Sequence, residues 1–365
     1  MCLKGSLLFG GDYYPGAESC LDLIDLDSQL VANLECALDR SQRRANKAHS
    51  VCITEQELAG QSFSRFVALN VANNHVLDSG LSAFRDMIDV LASKIHVTVY
   101  GTTARPYAVV NVGHQRWAII GCLERCRARQ GPLFREEDVA ALVRAIRNKF
   151  DRIFVTPHWG KYGEFAHFPS PQQLSRARDW MDAGVDGVLG HHPHTVQSRQ
   201  IVGGRRIYYS LGNLWFPHEQ SSTHEATRLC LLVHVAMERA TEELQWSERF
   251  VWQQSSFLVP VSGAERTRCA DILDAISEPL KQWSWFKWAQ LVGETYVRQS
   301  SVSWQRRIAK HGWCRTFPLM LAWNMHPVTC LLRLGRLAPK RFRAQNAAFR
   351  IASIGSTLSR HEAMD

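Results

Sequence analysis

This 365-residue sequence predicts an α/β fold followed by a helical C-terminal region. Over residues 1–235, short apolar runs alternate with helical patterns, and the runs are almost continuously apolar, which is typical of strands in a sheet covered on both faces. The composition then changes near Val261. Apolar residues make up 45% of the chain and charged residues 21%, which argues against general disorder or a collagen-like chain.

Seven short apolar runs are predicted as strands. We expect the first run to end at Gly10 and Gly11, and the second to end at Asn33. The seven runs are residues 7–9, 30–32, 66–69, 153–155, 187–189, 207–209 and 229–235.

Three helices are predicted between these strands. The first begins near Asp78 or Ser79, because apolar residues then recur at spacings of three and four. The second opens with the acidic residues 136–138 and closes with basic residues, the polarity that a helix dipole favours. The third is capped by Ser170, begins with a proline and stops at Gly184.

Residues 261–365 are predicted to form a second region that is basic, rich in tryptophan and mainly helical. They contain 16 Lys and Arg residues against 7 Asp and Glu residues, so the net charge of +9 lies in this region. Six of the 12 tryptophans also lie there. We therefore predict a domain boundary between residues 1–260 and 261–365, with helices at 271–280 and 331–350.

Three interpretations of this basic region stay open. It packs as a helical cap on the main domain, or it contacts anionic lipid headgroups or a lipid-linked carrier at a membrane surface. The third, nucleic-acid binding, lacks a helix-turn-helix, zinc-finger or RNA-recognition signature, so no nucleic acid is expected. Because the sequence shows no secretory-signal pattern and no Cys-x-x-Cys pair, we expect a cytoplasmic protein. If the basic region contacts lipid headgroups, the protein would lie peripherally at the inner membrane face.

Polar residues follow the predicted strands, and the carboxyl ends of strands in open α/β sheets form the ligand crevice. Oxygen and nitrogen donors without thiolate suit manganese, iron or zinc. About six ligands exceed what one tetrahedral ion needs, so we infer two ions that share a bridging carboxylate. In chain order the polar residues are Asp12, Glu35, Asn74, His75, Asp78, His158, His191, His192, His194 and Asn213.

Each of these residues also has a purely structural interpretation. A Gly-Gly-Asp segment such as the one at Asp12 is usually a turn, and a single histidine such as His75 is more often a packed or capping residue. Asp78 suits a helix N-cap as well as a partner of His75, since residues three apart meet on one helical face. The three imidazoles within residues 191–194 would pack poorly in a core, which favours a function for them.

Six motifs surround these candidates. They are Gly11-Asp12, Asn33-Leu34-Glu35, Asn73-Asn74-His75-x-x-Asp78-x-Gly80, His158-Trp159-Gly160, Gly190-His191-His192-Pro193-His194-x-x-Gln197 and Tyr209-Ser210-Leu211-Gly212-Asn213. In this order and approximate spacing they resemble the CapA family, the poly-gamma-glutamate capsule synthesis proteins, a branch of the calcineurin-like metallophosphoesterases. The resemblance covers roughly residues 5–240, and the set of motifs is specific although each motif alone is not.

The resemblance implies a metallophosphatase-like four-layer α/β/β/α sandwich with two divalent metal ions, manganese, iron or zinc, at the strand ends. In this family one carboxylate bridges the two ions. The implied ligands are Asp12 and His194 for one ion, Asn74, His158 and His192 for the other, and Glu35 as the bridge.

Other residues receive supporting roles from the same resemblance. His75 is implied as the general acid or base and Asp78 as the residue that orients it, while His191 and Asn213 are implied beside the metal ligands. The sequence departs from the wider superfamily at Tyr14, where a histidine ligand is usual, which leaves the occupancy of one metal position open. Glu164 lies further behind the His-Trp-Gly motif than expected and is left out of the ligand set.

The function implied is a metal-dependent hydrolase acting in the biosynthesis of a capsule or exopolymer, either poly-gamma-glutamate or polysaccharide. Two ions lower the pKa of a bridging water from about 15.7 toward 7, and the resulting hydroxide would attack a phosphoester or an amide. The substrate is then an anionic polymer or a phosphorylated small molecule. The alternative is a non-catalytic accessory component of a capsule assembly complex, which the basic C-terminal region would contact.

Overall fold

A computed structural model describes residues 5–15, 29–39, 51–61, 63–93, 97–124, 131–160, 162–216, 225–238, 240–254 and 257–337. Its strands, in chain order, are β1 (Ser6–Tyr13), β2 (Leu30–Leu34), β3 (Ala37–Leu38), β4 (Cys52–Ile53), β5 (Phe66–Asn70), β6 (Thr98–Tyr100), β7 (Tyr107–Val112), β8 (Gln115–Leu123), β9 (Arg152–His158), β10 (Gly187–Leu189), β11 (Arg199–Val202), β12 (Arg205–Tyr208), β13 (Asn213–Trp215), β14 (Leu229–Met237), β15 (Leu244–Gln253) and β16 (Leu258–Pro260).

Among the described residues the α-helices fall into two groups, four within the strand-rich part and four after it. Their bounds are α1 (Glu55–Gly60), α2 (Gly80–Ala92), α3 (Val139–Ile146), α4 (Pro171–Ala183), α5 (Gly263–Ser277), α6 (Trp285–His311), α7 (Trp313–Asn324) and α8 (Pro327–Gly335).

Two sheets form the centre of the protein. The first has the order β16-β15-β14-β1-β2-β5-β6, with β13 also paired to β1, and the second has the order β11-β12-β10-β9-β8-β7. Strands β1, β2, β5 and β6 run parallel, as do β8, β9, β10 and β12. The carboxyl ends of each parallel group therefore share one edge of its sheet.

The two sheets pack face to face, and helices cover their outer faces. Phe9 of the first sheet and Phe154 of the second lie in the same buried cluster, with ring centroids 5.4 Å apart. Phe84 of α2 packs against the outer side of the first sheet, and Trp180 of α4 packs with α3 on the outer side of the second. The expected α/β/β/α order of layers is thereby confirmed.

Local sequence signals fix the ends of two helices. Ser79 is the N-cap of α2, within the predicted start. Ser170 caps α4 and exchanges hydrogen bonds with Gln173, while Gly184 ends the helix with a left-handed φ of 108°. Both helices begin on the edge where the strands end, so the segments before them carry site residues.

The expected end of β1 at its two glycines is wrong. The strand continues through Gly10 and Gly11 to Tyr13, with a register shift against β2 between Phe9 and Asp12. A Cβ atom at Gly11 would lie 1.8 Å from the carbonyl oxygen of Gly212, so glycine is required where the segment before β13 approaches. Likewise β2 does not stop at Asn33 but ends at Leu34.

Helices α5 to α8 extend the core rather than forming a detached arm. Trp288 of α6 and Leu332 of α8 are buried in the cluster that lies between the two sheets. The predicted helix at 271–280 corresponds to the end of α5 and the 3₁₀ turn Glu278–Gln282. Of the helix predicted at 331–350, residues 338–350 lie outside the described residues. In the described part of the chain, no helix has the length and apolar composition needed to cross a bilayer.

Candidate metal centre

Parallel strand ends bring the polar residues together. Asp12 lies near the end of β1 and is paired in register with Asn33 of β2 and with Asn213 of β13. Glu35 directly follows β2, and His158 is the last residue of β9. A bridge between His158 and His191 joins β9 to the histidine-rich segment. Both sheets thus contribute to one cluster, as the strand-end argument predicts.

Two overlapping groups of three side chains have metal-binding geometry. One group is Glu35, His158 and His192, and the other is Asp12, Glu35 and His194. Within each group the donor atoms all lie within 4.8 Å of one another, and all five residues are buried. Glu35 belongs to both groups, which is the arrangement that a carboxylate shared by two cations requires.

Asn74 is brought to the second of the predicted ion positions. Its Oδ1 lies 2.7 Å from Nε2 of His158, so the two atoms that would face a cation point to the same place. The amide and the imidazole come from residues 84 positions apart in the sequence. Nε2 of His158 is also 3.6 Å from Oε1 of Glu35.

The three neighbouring histidines have different surroundings. Nε2 of His191 donates to the carbonyl oxygen of Gly10, 3.0 Å away, so this ring faces β1. His192 has a left-handed φ of 91°, and its main-chain N–H donates to Oδ2 of Asp12 at 3.0 Å. Nδ1 of His194 lies 2.8 Å from Oδ1 of Asn213 and 3.8 Å from Oδ2 of Asp12. The left-handed backbone at His192 thus points its N–H at Asp12, while its imidazole belongs to the group with Glu35 and His158.

His75 and Asp78 form a pair beside the cluster. Nδ1 of His75 lies 2.7 Å from Oδ2 of Asp78, and Nε2 lies 4.0 Å from Oε1 of Glu35. Asn73 accepts hydrogen bonds from the main-chain N–H groups of His75 and Val76, which fixes the turn before α2. Ser79, and not Asp78, is the N-cap of α2. The Asp78 carboxylate is therefore placed to hold the His75 ring.

One contact within the cluster was not predicted from the sequence. Nδ2 of Asn33 donates to Oδ1 of Asp12 at 2.7 Å and lies 3.2 Å from Nδ1 of His158. Asn33 therefore orients one residue from each of the two groups. Its position in the Asn-Leu-Glu motif, two residues before Glu35, is the signal that could have identified it.

The family model described as "Bacterial capsule synthesis protein PGA_cap" matches residues 8–218, which include the whole cluster. The chain belongs to this family. The resemblance to the capsule synthesis proteins is thereby confirmed, and the cluster is a feature of the matched PGA_cap region.

Curated relatives of this PGA_cap chain have names from the same process. The "Capsule biosynthesis protein CapA" of Bacillus anthracis is 28% identical over 206 residues, which are 51% of this chain and 49% of the relative. The "PGA biosynthesis protein CapA" of Bacillus subtilis is 24% identical over 200 residues, 51% of this chain and 52% of the relative. A "Probable polyglutamine synthesis accessory protein" of Mycobacterium tuberculosis is 32% identical over 181 residues, 43% of this chain and 47% of the relative. The chain spans about half the length of these relatives.

Solved structures are similar at low identity. A novel phosphatase from Mycoplasma pneumoniae has 11% identity and a TM-score of 0.46, covering 73% of this chain and 97% of that chain. A 5'-nucleotidase precursor from Thermus thermophilus has 16% identity and a TM-score of 0.42, covering 68% of this chain and 54% of that chain. Both TM-scores lie below 0.5, so neither similarity bears on activity.

Burial sets the protonation of this PGA_cap cluster. It raises the pKa of the Asp12 carboxyl to about 6. It lowers the pKa of His191 to about 4, and burial together with the neighbouring His192 lowers the pKa of His158 well below its usual value. The lowered histidine pKa values favour the neutral imidazole that binds a cation, whereas the raised pKa of Asp12 opposes the ionised carboxylate that binding needs. The donor set fits a metal ion, because a cation would compensate the cost of burying Asp12 and Glu35 together.

Tyr14 and Glu164 occupy the two positions where the sequence departs from the superfamily. The hydroxyl of Tyr14 donates to the carbonyl oxygen of Cys52 at 2.6 Å, so it does not replace the usual histidine ligand. Oε1 of Glu164 lies 3.7 Å from Nε2 of His194, at the margin of the cluster. Glu164 is thus nearer to the candidate ligands than its sequence position suggests.

Proposed function

We propose that the protein is a metal-dependent hydrolase that acts on an anionic capsule polymer or a phosphorylated precursor, at a phosphoester or an amide. Membership of the capsule synthesis family supports the process. The single observation that carries the proposal is the sharing of Glu35 by two buried groups of potential ligands.

Each residue of the cluster has a proposed role. Divalent ions such as manganese, iron or zinc, when bound, would supply Lewis-acid polarisation and make a water more acidic. Asn33 holds Asp12 and His158 in place through its side-chain amide. The proposed ligands are Asp12 and His194 at one position, Asn74, His158 and His192 at the other, and Glu35 between them.

His75 is proposed to exchange a proton with the substrate. Asp78 accepts a hydrogen bond from Nδ1 of His75, so the Nε2 atom on the Glu35 side is the one left to give or take a proton. Such a positioned acid or base contributes about 10²–10⁴-fold to a rate. His191 and Asn213 support the site, the first by holding the segment to β1 and the second by contacting His194.

Metal content and hydrolysis test the proposal together. We expect purified protein to contain one to two equivalents of metal, and the double variant His192→Ala/His194→Ala to lose it. His114→Ala is the matched control, because His114 is exposed and its Nε2 lies 3.0 Å from Oε1 of the surface residue Glu242, far in the sequence from the candidate ligands. Hydrolysis is measured on a phosphodiester, a phosphomonoester and poly-gamma-glutamate. Unchanged metal content in the double variant would remove the proposal.

A non-catalytic role in a capsule assembly complex is the second candidate. The word "accessory" in the name of the Mycobacterium relative and the engagement of Tyr14 with Cys52 favour it. His75→Ala separates the two candidates. Loss of hydrolysis and of capsule with normal metal content supports catalysis, whereas an intact capsule with this variant supports the accessory role.

A further inference from the structure

Helix α7 and the residue after it present apolar side chains to solvent. Trp313 is 53% exposed, Phe317 42%, Leu321 49% and Met325 72%, and their spacing of four places them along one side of the helix. We call these four residues the α7 surface. Contiguous exposed apolar side chains of this size usually mark an interaction site rather than ordinary surface.

The segment of the chain that contains the α7 surface carries charge of one sign. Residues 295–337 contain seven Lys and Arg residues and no Asp or Glu. Arg306 and Lys310 lie near the end of α6, Arg315 lies within α7, and all three are exposed. The helix therefore combines apolar side chains with cations, a pattern typical of helices that lie in a membrane interface.

The exposure of this surface is built into the helical packing. A Cβ atom at Gly335 would lie 2.1 Å from the carbonyl oxygen of Ala289, so α8 and α6 are in direct backbone contact. On the inner side of α7, the indole of Trp323 donates to the hydroxyl of Tyr296 at 2.8 Å and packs near Tyr162. Since the inner side is anchored, the α7 surface is held facing outward.

We propose that the α7 surface docks the protein on an anionic lipid bilayer, with α7 lying in the plane of the interface. The apolar side chains would enter the boundary between headgroups and acyl chains, and the cations would contact anionic headgroups. A second copy of the chain fits less well, because the same basic region would face itself. Nucleic acid would leave the apolar side chains without a partner.

Docking would place the candidate metal centre near the membrane. The ring of His326, directly after α7 and Met325, stacks on Tyr162 at a centroid distance of 6.0 Å. Tyr162 belongs to the loop that follows His158. The membrane-facing helix is thus packed against the loop next to the cluster.

Vesicle sedimentation with the full-length chain tests the proposal. We expect binding to phosphatidylglycerol–phosphatidylcholine vesicles at low salt and much weaker binding to pure phosphatidylcholine vesicles. Phe317→Ser/Leu321→Ser should lower the partition coefficient about tenfold or more, and Arg306→Glu/Lys310→Glu should do so on anionic vesicles. Ile201→Ser is the matched control, because Ile201 is 62% exposed on β11, outside the helical region.

Several results would overturn the proposal. One is equal partitioning of wild type and both double variants. Another is an absence of vesicle binding together with a wild-type dimer, seen by light scattering, that Phe317→Ser/Leu321→Ser converts to a monomer. Metal content is measured in parallel, and it should be unchanged in these variants, so failure of docking is distinguishable from failure of the proposed hydrolase.

Discussion

Gln299 donates a hydrogen bond from its side-chain amide to the carboxylate of Glu164. The other oxygen of that carboxylate lies 3.7 Å from Nε2 of His194, and the main-chain N–H of His194 donates to the Glu164 carbonyl oxygen at 2.8 Å. Helix α6 therefore reaches the edge of the candidate metal centre through Gln299. The C-terminal helices and the centre are structurally linked.

This link predicts that Glu164→Gln weakens metal binding. The substitution removes a negative charge beside His194 without changing the size of the side chain, and loss of such a supporting contact typically costs 10–100-fold in metal affinity, so we expect about tenfold. Gln299→Ala should have a smaller effect in the same direction. Isothermal titration of metal-free protein with Mn²⁺ measures both.

Gln305→Ala is the control for these variants, since Gln305 is an exposed amide on the same helix. If Glu164→Gln binds Mn²⁺ as tightly as wild type does, Glu164 has no part in holding the centre.

Close packing of α6 against α8 predicts sensitivity at Gly335. An added Cβ would lie 2.1 Å from the Ala289 carbonyl oxygen, so the two helices would have to separate. Overpacking of this kind costs about 1–3 kcal/mol, and Gly335→Ala should lower the free energy of unfolding by that amount. Urea denaturation measures it. Gly60→Ala is the matched control, because a Cβ there meets nothing within 4 Å, and an effect as large as that of Gly335→Ala would contradict the argument.

The His75–Asp78 pair predicts a loss of rate without loss of metal. His75→Ala should lower kcat by about 10²–10⁴-fold, because the proton acceptor or donor is removed while the proposed ligands remain. Asp78→Asn should lower kcat less, since the ring stays but its partner is neutral. Steady-state kinetics and metal analysis of the same preparations are the measurements. Loss of metal together with activity would show that the pair maintains the centre instead.

Local signals predicted the parts of the fold that depend on neighbouring residues. Ser170 and Gly184 define α4 to the residue, because caps are set by the backbone groups next to them. The extension of β1 past Gly11 depends on Gly212, some 200 residues later, and has no local signal. Strands β7 and β8 are absent from the predicted set, although Val112 and Gln115 pair across the two-residue turn Gly113–His114, which is a local hairpin signal. The pairing of β8 with β9 has no such local signal, because it is decided by tertiary contacts.

The contacts of the candidate site were also predicted from the sequence only in part. The rule that ligands bind at the carboxyl ends of the strands predicted that the polar residues after the strands would meet, and the structure brings Asp12, Glu35 and His158 together. The contacts of Asn33 with His158 and of Gln299 with Glu164 join residues 125 and 135 positions apart. Such pairings follow from how the layers pack, so a single sequence does not reveal them.

The shared position of Glu35 predicts different effects of Glu35→Gln on the melting temperatures of metal-free and metal-loaded protein. Without metal, Glu35 is a fully buried carboxyl, and a neutral amide removes the cost of burying its charge, so the melting temperature should rise or stay unchanged. With Mn²⁺, wild type gains stability from binding, whereas the variant has lost a charged donor from both groups and should gain far less. Thermal unfolding with Mn²⁺ and with a chelator gives the four melting temperatures. Glu243→Gln, at an exposed position, should show the wild-type response to metal. An equal metal-induced rise in wild type and Glu35→Gln would contradict a bridging position for Glu35.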